Sequence, residues 1–183
     1  MKLTTTLFLL LFVNSTFGQK VNEIKIPKIS ETDKYGFAEV YKLDSSTTKE
    51  LYNSTKEFLI KKHSDKEFFI DVQNKEIYDK GSFPADMNVS NIPITYTILY
   101  TISVEFKEEK VRIILTDFKV SSNSQGTTSE VPLEDYFNNM NTVKNGKKYA
   151  RKMNESLSTS MIKQSEKLIN ELKISLTEKK TEW

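Results

Sequence analysis

Residues 94–106 read ITYTILYTISVEF. Every even position is apolar or aromatic: Ile94, Tyr96, Ile98, Tyr100, Ile102, Val104 and Phe106. The odd positions hold Thr95, Thr97, Leu99, Thr101, Ser103 and Glu105. Successive side chains of a strand point to opposite faces, so this alternation predicts a half-buried strand with one face in a core. The other face is mostly small hydroxyls. Lys107–Lys110 (KEEK) is a polar hairpin connection, and Val111–Val120 (VRIILTDFKV) returns antiparallel. That pairing adds Arg112 and Thr116 to the hydroxyl face. Thr95, Thr97, Thr101, Ser103, Arg112 and Thr116 are therefore the candidate binding residues. Hydroxyls both donate and accept hydrogen bonds, which suits glycan or peptide-backbone contacts. Thr is also favoured on any half-exposed strand, so the row permits binding without requiring it.

Working outward, Gly36–Leu43 alternates and reads as a first strand. Thr47 with Glu50 three residues later is a capping-box pattern, and Leu51, Thr55, Phe58, Leu59 and Lys62 then recur at helical spacing. A helix is expected from Thr48 to Lys62. Lys66–Gln73 is the second strand, with Phe68, Ile70 and Val72 on one face; Asn74 and Lys75 form a turn, and a third strand runs from Glu76 to Phe83. Pro84–Pro93 and Ser121–Glu130 read as loops by composition. A short helix is expected after Pro132. Lys147–Lys179 contains neither Pro nor Gly, and Tyr149, Met153, Leu157, Met161, Leu168, Leu172 and Leu176 place an apolar stripe along one long helix. At 1.5 Å per residue that helix spans ~50 Å, more than a strand of ordinary length. Its stripe is thus expected to reach past the sheet toward a partner or a second copy.

The N-terminus has its own logic. MKLTTTLFLLLFVNSTFG carries one Lys, then the apolar run Leu7–Val13, then the small residues Thr16 and Gly18. This is the pattern of a secretory signal peptide cleaved after Gly18, and the run is too short to span a bilayer. Cleavage removes one Lys and no acid, so 27 basic side chains become 26 against 25 acidic, a formal +1. Such a balance gives no global attraction for nucleic acid. The absence of cysteine excludes disulfides, thiol catalysis and thiolate metal sites. The expected organisation is a signal peptide over 1–18, a lead-in over 19–35, an α+β core over 36–120, a loop with a short helix over 121–146, and the long helix over 147–179.

The stretches KELYNSTKEFL, IYDKGSF, ITYTILYTISVEFKEEKVR and ILTDFKV, in this order behind a signal peptide, resemble domain-of-unknown-function family 4468. That family comprises exported Bacteroidetes proteins with a TATA-binding-protein-like (TBP-like) fold. The resemblance covers roughly Phe37 to Val120. Phe58 stands where the family is expected to hold Trp, and Glu108-Glu109 where Asp-Gly is common. The resemblance implies an α+β, two-layer TBP-like fold of βαββββα order: a curved antiparallel sheet with helices on one face, exported to the periplasm or surface of a Gram-negative bacterium. It brings no catalytic residue.

Catalytic kits are sparse in this chain. His63 is the single histidine, in the polar setting KKHS, where a cationic ring complements a helix C-terminus. One His and no Cys make a transition-metal site improbable. No Gly-rich phosphate loop or nucleophile elbow occurs, and no cofactor is expected. KNGKKYARK, Lys144–Lys152, concentrates cations near the start of the last helix, either as a solvated face or as a contact for an anionic polymer or headgroup. The expectation is a noncatalytic binding or interaction module of the envelope, with a glycan or peptide partner and no nucleic acid. The alternatives are a hydrolase using Asp79 or Asp86 across the Pro84–Pro93 segment, or a structural subunit that self-associates through its last helix.

Overall fold

The computed structural model describes residues 24–44, 46–62, 70–72, 75–89, 91–124, 127–142 and 146–177. Their elements are β1 (Phe37–Lys42), α1 (Thr48–Lys62), β2 (Ile70–Val72), β3 (Glu76–Val89), β4 (Ile92–Lys107), β5 (Lys110–Ser124), β6 (Thr127–Pro132), α2 (Leu133–Thr142) and α3 (Lys147–Thr177). The strands form one antiparallel sheet in the order β1-β5-β4-β3-β2, with β6 also paired to β5. The expected βαββββα order thus gains a strand, β6, and α2 is the short helix expected after Pro132.

The quoted strand behaves as its alternation dictates. Ile98, Tyr100, Ile102, Val104 and Phe106 of β4 are buried, and they join Ile77, Ala85 and Met87 of β3 and Val111, Ile113 and Leu115 of β5 on one face. The helices lie on that face. Tyr52 of α1 packs edge-on against Phe106 at 5.8 Å, and Tyr136 of α2 against Tyr96 at 6.0 Å. Phe83 stacks on Tyr100 at 5.3 Å. Edge-on and offset ring pairs add about 0.5–1.5 kcal/mol each beyond the burial itself. Helix α1 begins where its cap predicts. The Thr47 amide donates to Glu50 Oε2 at 2.8 Å, and the Glu50 amide donates to Thr47 Oγ1 at 3.3 Å, which satisfies two orphan donors reciprocally.

Two expected loops are strands. The Pro84–Pro93 segment is not a loop: β3 continues through Pro84 to Val89, and β4 starts at Ile92, paired in unbroken register from Glu76↔Glu105 to Val89↔Ile92. Among the described residues β2 pairs with residues 76–78 and no strand pairs further along that side of β3, so Pro84 sits on an edge of the described sheet, where a missing N–H breaks no ladder. The Ser121–Glu130 loop is also replaced: β5 runs on to Ser124 and β6 pairs with it from Lys119↔Pro132 to Ser124↔Thr127. These longer strands account for the long helix. Sixteen residues of β4 span ~53 Å. They match the 31 residues of α3, whose inner face is buried from Ala150 to Leu176. The stripe expected to overhang the sheet is therefore covered within the protein, by β3 and by helices α1 and α2.

Strand β5 carries a bulge. Leu99 faces Lys119 but Thr101 faces Thr116, so Asp117 and Phe118 together oppose Tyr100 alone. Asp117 adopts φ 52°, a left-handed conformation that Asp tolerates better than most residues. The extra residue switches parity, so that Phe118 and Val120 follow Val111, Ile113 and Leu115 into the core. Beyond Leu115 the outer side of β5 has no β1 partner, and β6 begins pairing only at Lys119. Residues 24–36 close this gap, and so are more than a lead-in. Ile26 and Ile29 are buried, Lys34 pairs with Asp117 at 2.6 Å, and the Tyr35 amide donates to Glu134 Oε1 at 3.3 Å.

The described part of the second strand is Ile70–Val72; Phe68, His63, the signal-peptide segment and residues 178–179 lie outside the described residues. No helix among the described residues is long and apolar enough to cross a membrane.

Candidate functional site

The face of the sheet away from the helices is laid out in cross-strand rows. Glu76, Glu105, Arg112 and Val40 form one row across β3, β4, β5 and β1. Tyr78, Ser103, Ile114 and Ala38 form the next, followed by Lys80, Thr101 and Thr116, then Ser82, Leu99 and Lys119, then Pro84, Thr97 and Ser121, and finally Asp86 with Thr95. The six candidate residues, Thr95, Thr97, Thr101, Ser103, Arg112 and Thr116, thus share one face. They are not equally available to a ligand.

Four of the six are engaged within the protein. Thr95 Oγ1 donates to Asp86 Oδ1 at 2.7 Å. Ser103 is 8% exposed and its hydroxyl donates to Glu76 Oε1 at 2.8 Å. Arg112 binds Glu31 Oε1 at 2.7 Å and lies 3.6 Å from Glu105 Oε1. Thr116 Oγ1 makes a long contact of 3.4 Å to Asp117 Oδ2. Thr97 is exposed and Thr101 half-buried, and neither hydroxyl has a side-chain partner among the described residues. These two, next to half-buried Leu99, form the available centre of the face.

Sequence reasoning missed Glu76 and Tyr78, which cross-strand register brings beside Ser103. The Tyr78 hydroxyl is pushed up to about 12, first by its hydrogen bond to the Glu76 carboxylate and then by burial. Glu76 therefore gathers Ser103 and Tyr78 at one end of the face, while Arg112 gathers Glu105 and Glu31 beside it. Three carboxylates against one guanidinium leave this end net negative. A cleft of about 680 Å³ borders the same end, between residues 27–31 and β1, with Arg112 and Val40 among its lining.

The carboxylates of the hydrolase alternative do not meet. Asp79 lies on the helix-facing side at 3% exposure, its Oδ1 accepting the Lys80 amide at 2.8 Å. Asp86 is exposed on the opposite side. Seven residues of extended chain separate them, ~23 Å. Among the described residues no group of three or more His, Asp or Glu side chains is placed to hold a metal ion.

Comparison with known proteins agrees with this architecture. The family described as "Domain of unknown function (DUF4468) with TBP-like fold" matches residues 37–121, which run from β1 through most of β5. A TBP-like protein from Parabacteroides distasonis is similar in structure, with a TM-score of 0.57 at 12% identity, over 81% of this chain and 97% of its own. A DUF4468 family protein from Bacteroides ovatus has a TM-score of 0.61 at 12% identity, over 86% of this chain and 94% of its own. At that identity the likeness shows the fold, an α+β TBP-like sandwich. No curated protein matches the chain.

Proposed function

We propose that this protein is a noncatalytic binding module of the bacterial envelope, and that its ligand, a glycan or an extended peptide, lies across the open sheet face at Thr97 and Thr101. The observation that carries this reading is the asymmetry of the sheet. The three described helices cover one face, while the middle of the other presents hydroxyls around Leu99 that have no side-chain partner among the described residues. An antiparallel sheet is stable with one wet face, so nothing in folding requires that face to be roofed. The signal-peptide pattern of residues 1–18 supports export.

Nucleic acid is a poor fit to this face. A DNA-binding saddle needs an excess of Lys and Arg to neutralise phosphates. Here Arg112 is flanked by two glutamates and Lys119 pairs with Glu130 at 3.2 Å.

The test is a panel of oligosaccharides and extended peptides titrated against the wild type and a Thr97→Lys/Thr101→Lys variant. The reading expects at least one ligand whose binding is abolished in the variant, with the melting temperature unchanged within about 2 °C, since surface substitutions stay within about 0.5 kcal/mol. Ligands bound equally by both proteins reject this face.

A further inference from the structure

A second surface lies at the edge of the sheet, and its chemistry is different. Between the edge of β3, unpaired past Tyr78 among the described residues, and the outer side of α3 runs a groove of about 640 Å³. Its α3 wall carries Lys152, Ser156, Thr159 and Lys163, spaced as one stripe of a helix, with Ser160 and Gln164 beside them. Asp86 and Asn88 form the β3 wall, and Lys25 closes one end. Lys148 lies one turn before Lys152 on the same stripe of α3, extending its cationic side toward the start of the helix. From Lys148 to Lys163 the stripe is ~22 Å long.

We propose that this groove binds an acidic polysaccharide, a linear glycan bearing carboxylates or phosphates. Three features select that class. First, the ammonium groups of Lys25, Lys152 and Lys163 have no anionic partner among the described residues. Two carboxylates line the groove: Glu155 is paired with Arg151 at 3.3 Å, while Asp86 accepts from the neutral Thr95 hydroxyl at 2.7 Å and keeps its charge, so three ammonium groups face one unneutralised carboxylate. The surplus is therefore cationic. Second, the described residues of the lining include no aromatic or aliphatic side chain, only charged groups, hydroxyls and amides. Such a wall offers little to an apolar ligand and many donors and acceptors to a polyol. Third, the surface is concave, which suits a chain and not a planar bilayer. An acidic peptide adding as a strand to β3 would meet Pro84, which has no N–H to offer, and the Asp86 carboxylate.

The test uses affinity electrophoresis and calorimetry with polygalacturonate, dextran and poly-glutamate as probes at low and physiological salt. Polygalacturonate is expected to bind and dextran not. Binding should weaken steeply as added salt shortens the screening length from ~30 Å to ~8 Å. Lys152→Glu/Lys163→Glu should weaken it at least about tenfold while keeping the wild-type melting temperature. Thr97→Ala/Thr101→Ala, which removes the open-face hydroxyls without adding charge near Asp86, should leave it intact, so failure here and failure of the open-face reading are separable. The proposal is overturned if polygalacturonate does not bind at low salt, if the double charge reversal leaves its affinity unchanged, or if poly-glutamate binds as tightly.

Discussion

Gly36 is a point of close approach between residues 24–36 and the sheet, and replacing it with Ala tests how they are joined. The Gly36 amide donates to the Pro27 carbonyl at 3.0 Å, and the side chain of Ile29 folds over the glycine. A Cβ at this position would lie 2.5 Å from Ile29 Cδ1, 3.0 Å from Ile29 Cγ1 and 2.7 Å from the Leu115 carbonyl oxygen. Unstrained carbon contacts need about 3.5–4.0 Å. Ile29 can rotate away at the expense of its buried packing, but the Leu115 oxygen belongs to the middle of β5. Overpacking of this kind costs about 1–3 kcal/mol, and the immovable carbonyl places Gly36→Ala at the upper end. At about 2–4 °C per kcal/mol for a chain of this size, the melting temperature should fall by ~4–10 °C. Ile29→Ala in the same background should cost less than the sum of the two single changes, because it removes one wall of the clash and leaves the other. The assay is calorimetry backed by urea unfolding. A Gly36→Ala protein melting within 1 °C of wild type, or strictly additive costs, would refute the argument that this contact seals the edge.

Ser158 and Ser165 are fully buried on the inner side of α3, and their hydroxyls have no partner among the described residues. An unsatisfied buried hydroxyl costs about 1–3 kcal/mol, and Ala is the better helix former. Ser158→Ala is therefore expected to raise stability by ~1 kcal/mol, read as an increased urea midpoint at constant slope; a loss of stability would mean that the hydroxyl is satisfied. Tyr78 should ionise at about 12 in spectrophotometric titration, isolated by difference from Tyr78→Phe. Its folded value lies above the unfolded one near 10, so the Glu76 hydrogen bond contributes fully below about pH 10 and is lost as pH rises through about 12. Glu76→Gln should move the midpoint back toward 10, and a wild-type midpoint already near 10 would exclude that bond.

Several elements were legible because local chemistry and tertiary environment agree. The cap of α1 needs only Thr47 and Glu50, and the alternation of β4 survives because its two faces meet such different surroundings. Strand β6 was illegible for the complementary reason. Its residues 127–130 are exposed, so neither face imposes an apolar pattern on Thr127, Thr128, Ser129 and Glu130. The extension of β3 was hidden by Pro84, which marks a break only when a strand is paired on both sides. The parity switch in β5 has no signal beyond the tolerance of Asp117 for a left-handed backbone. On the open face, alternation alone placed all six candidates on one side. It could not show that Glu76 would take up Ser103 or that Asp86 would take up Thr95, because those pairings depend on register across 27 and 9 residues.

Strand β5 is bordered on its outer side by two short neighbours laid end to end, β1 against residues 110–115 and β6 against residues 119–124. Each is a separate shutter on one frame. Amide exchange along β5 should then fall into two independent kinetic blocks divided at Asp117. Peeling back β6 would bare the upper half to solvent while the lower half stays latched, so a partial opening at one end would not spread into collapse of the whole layer.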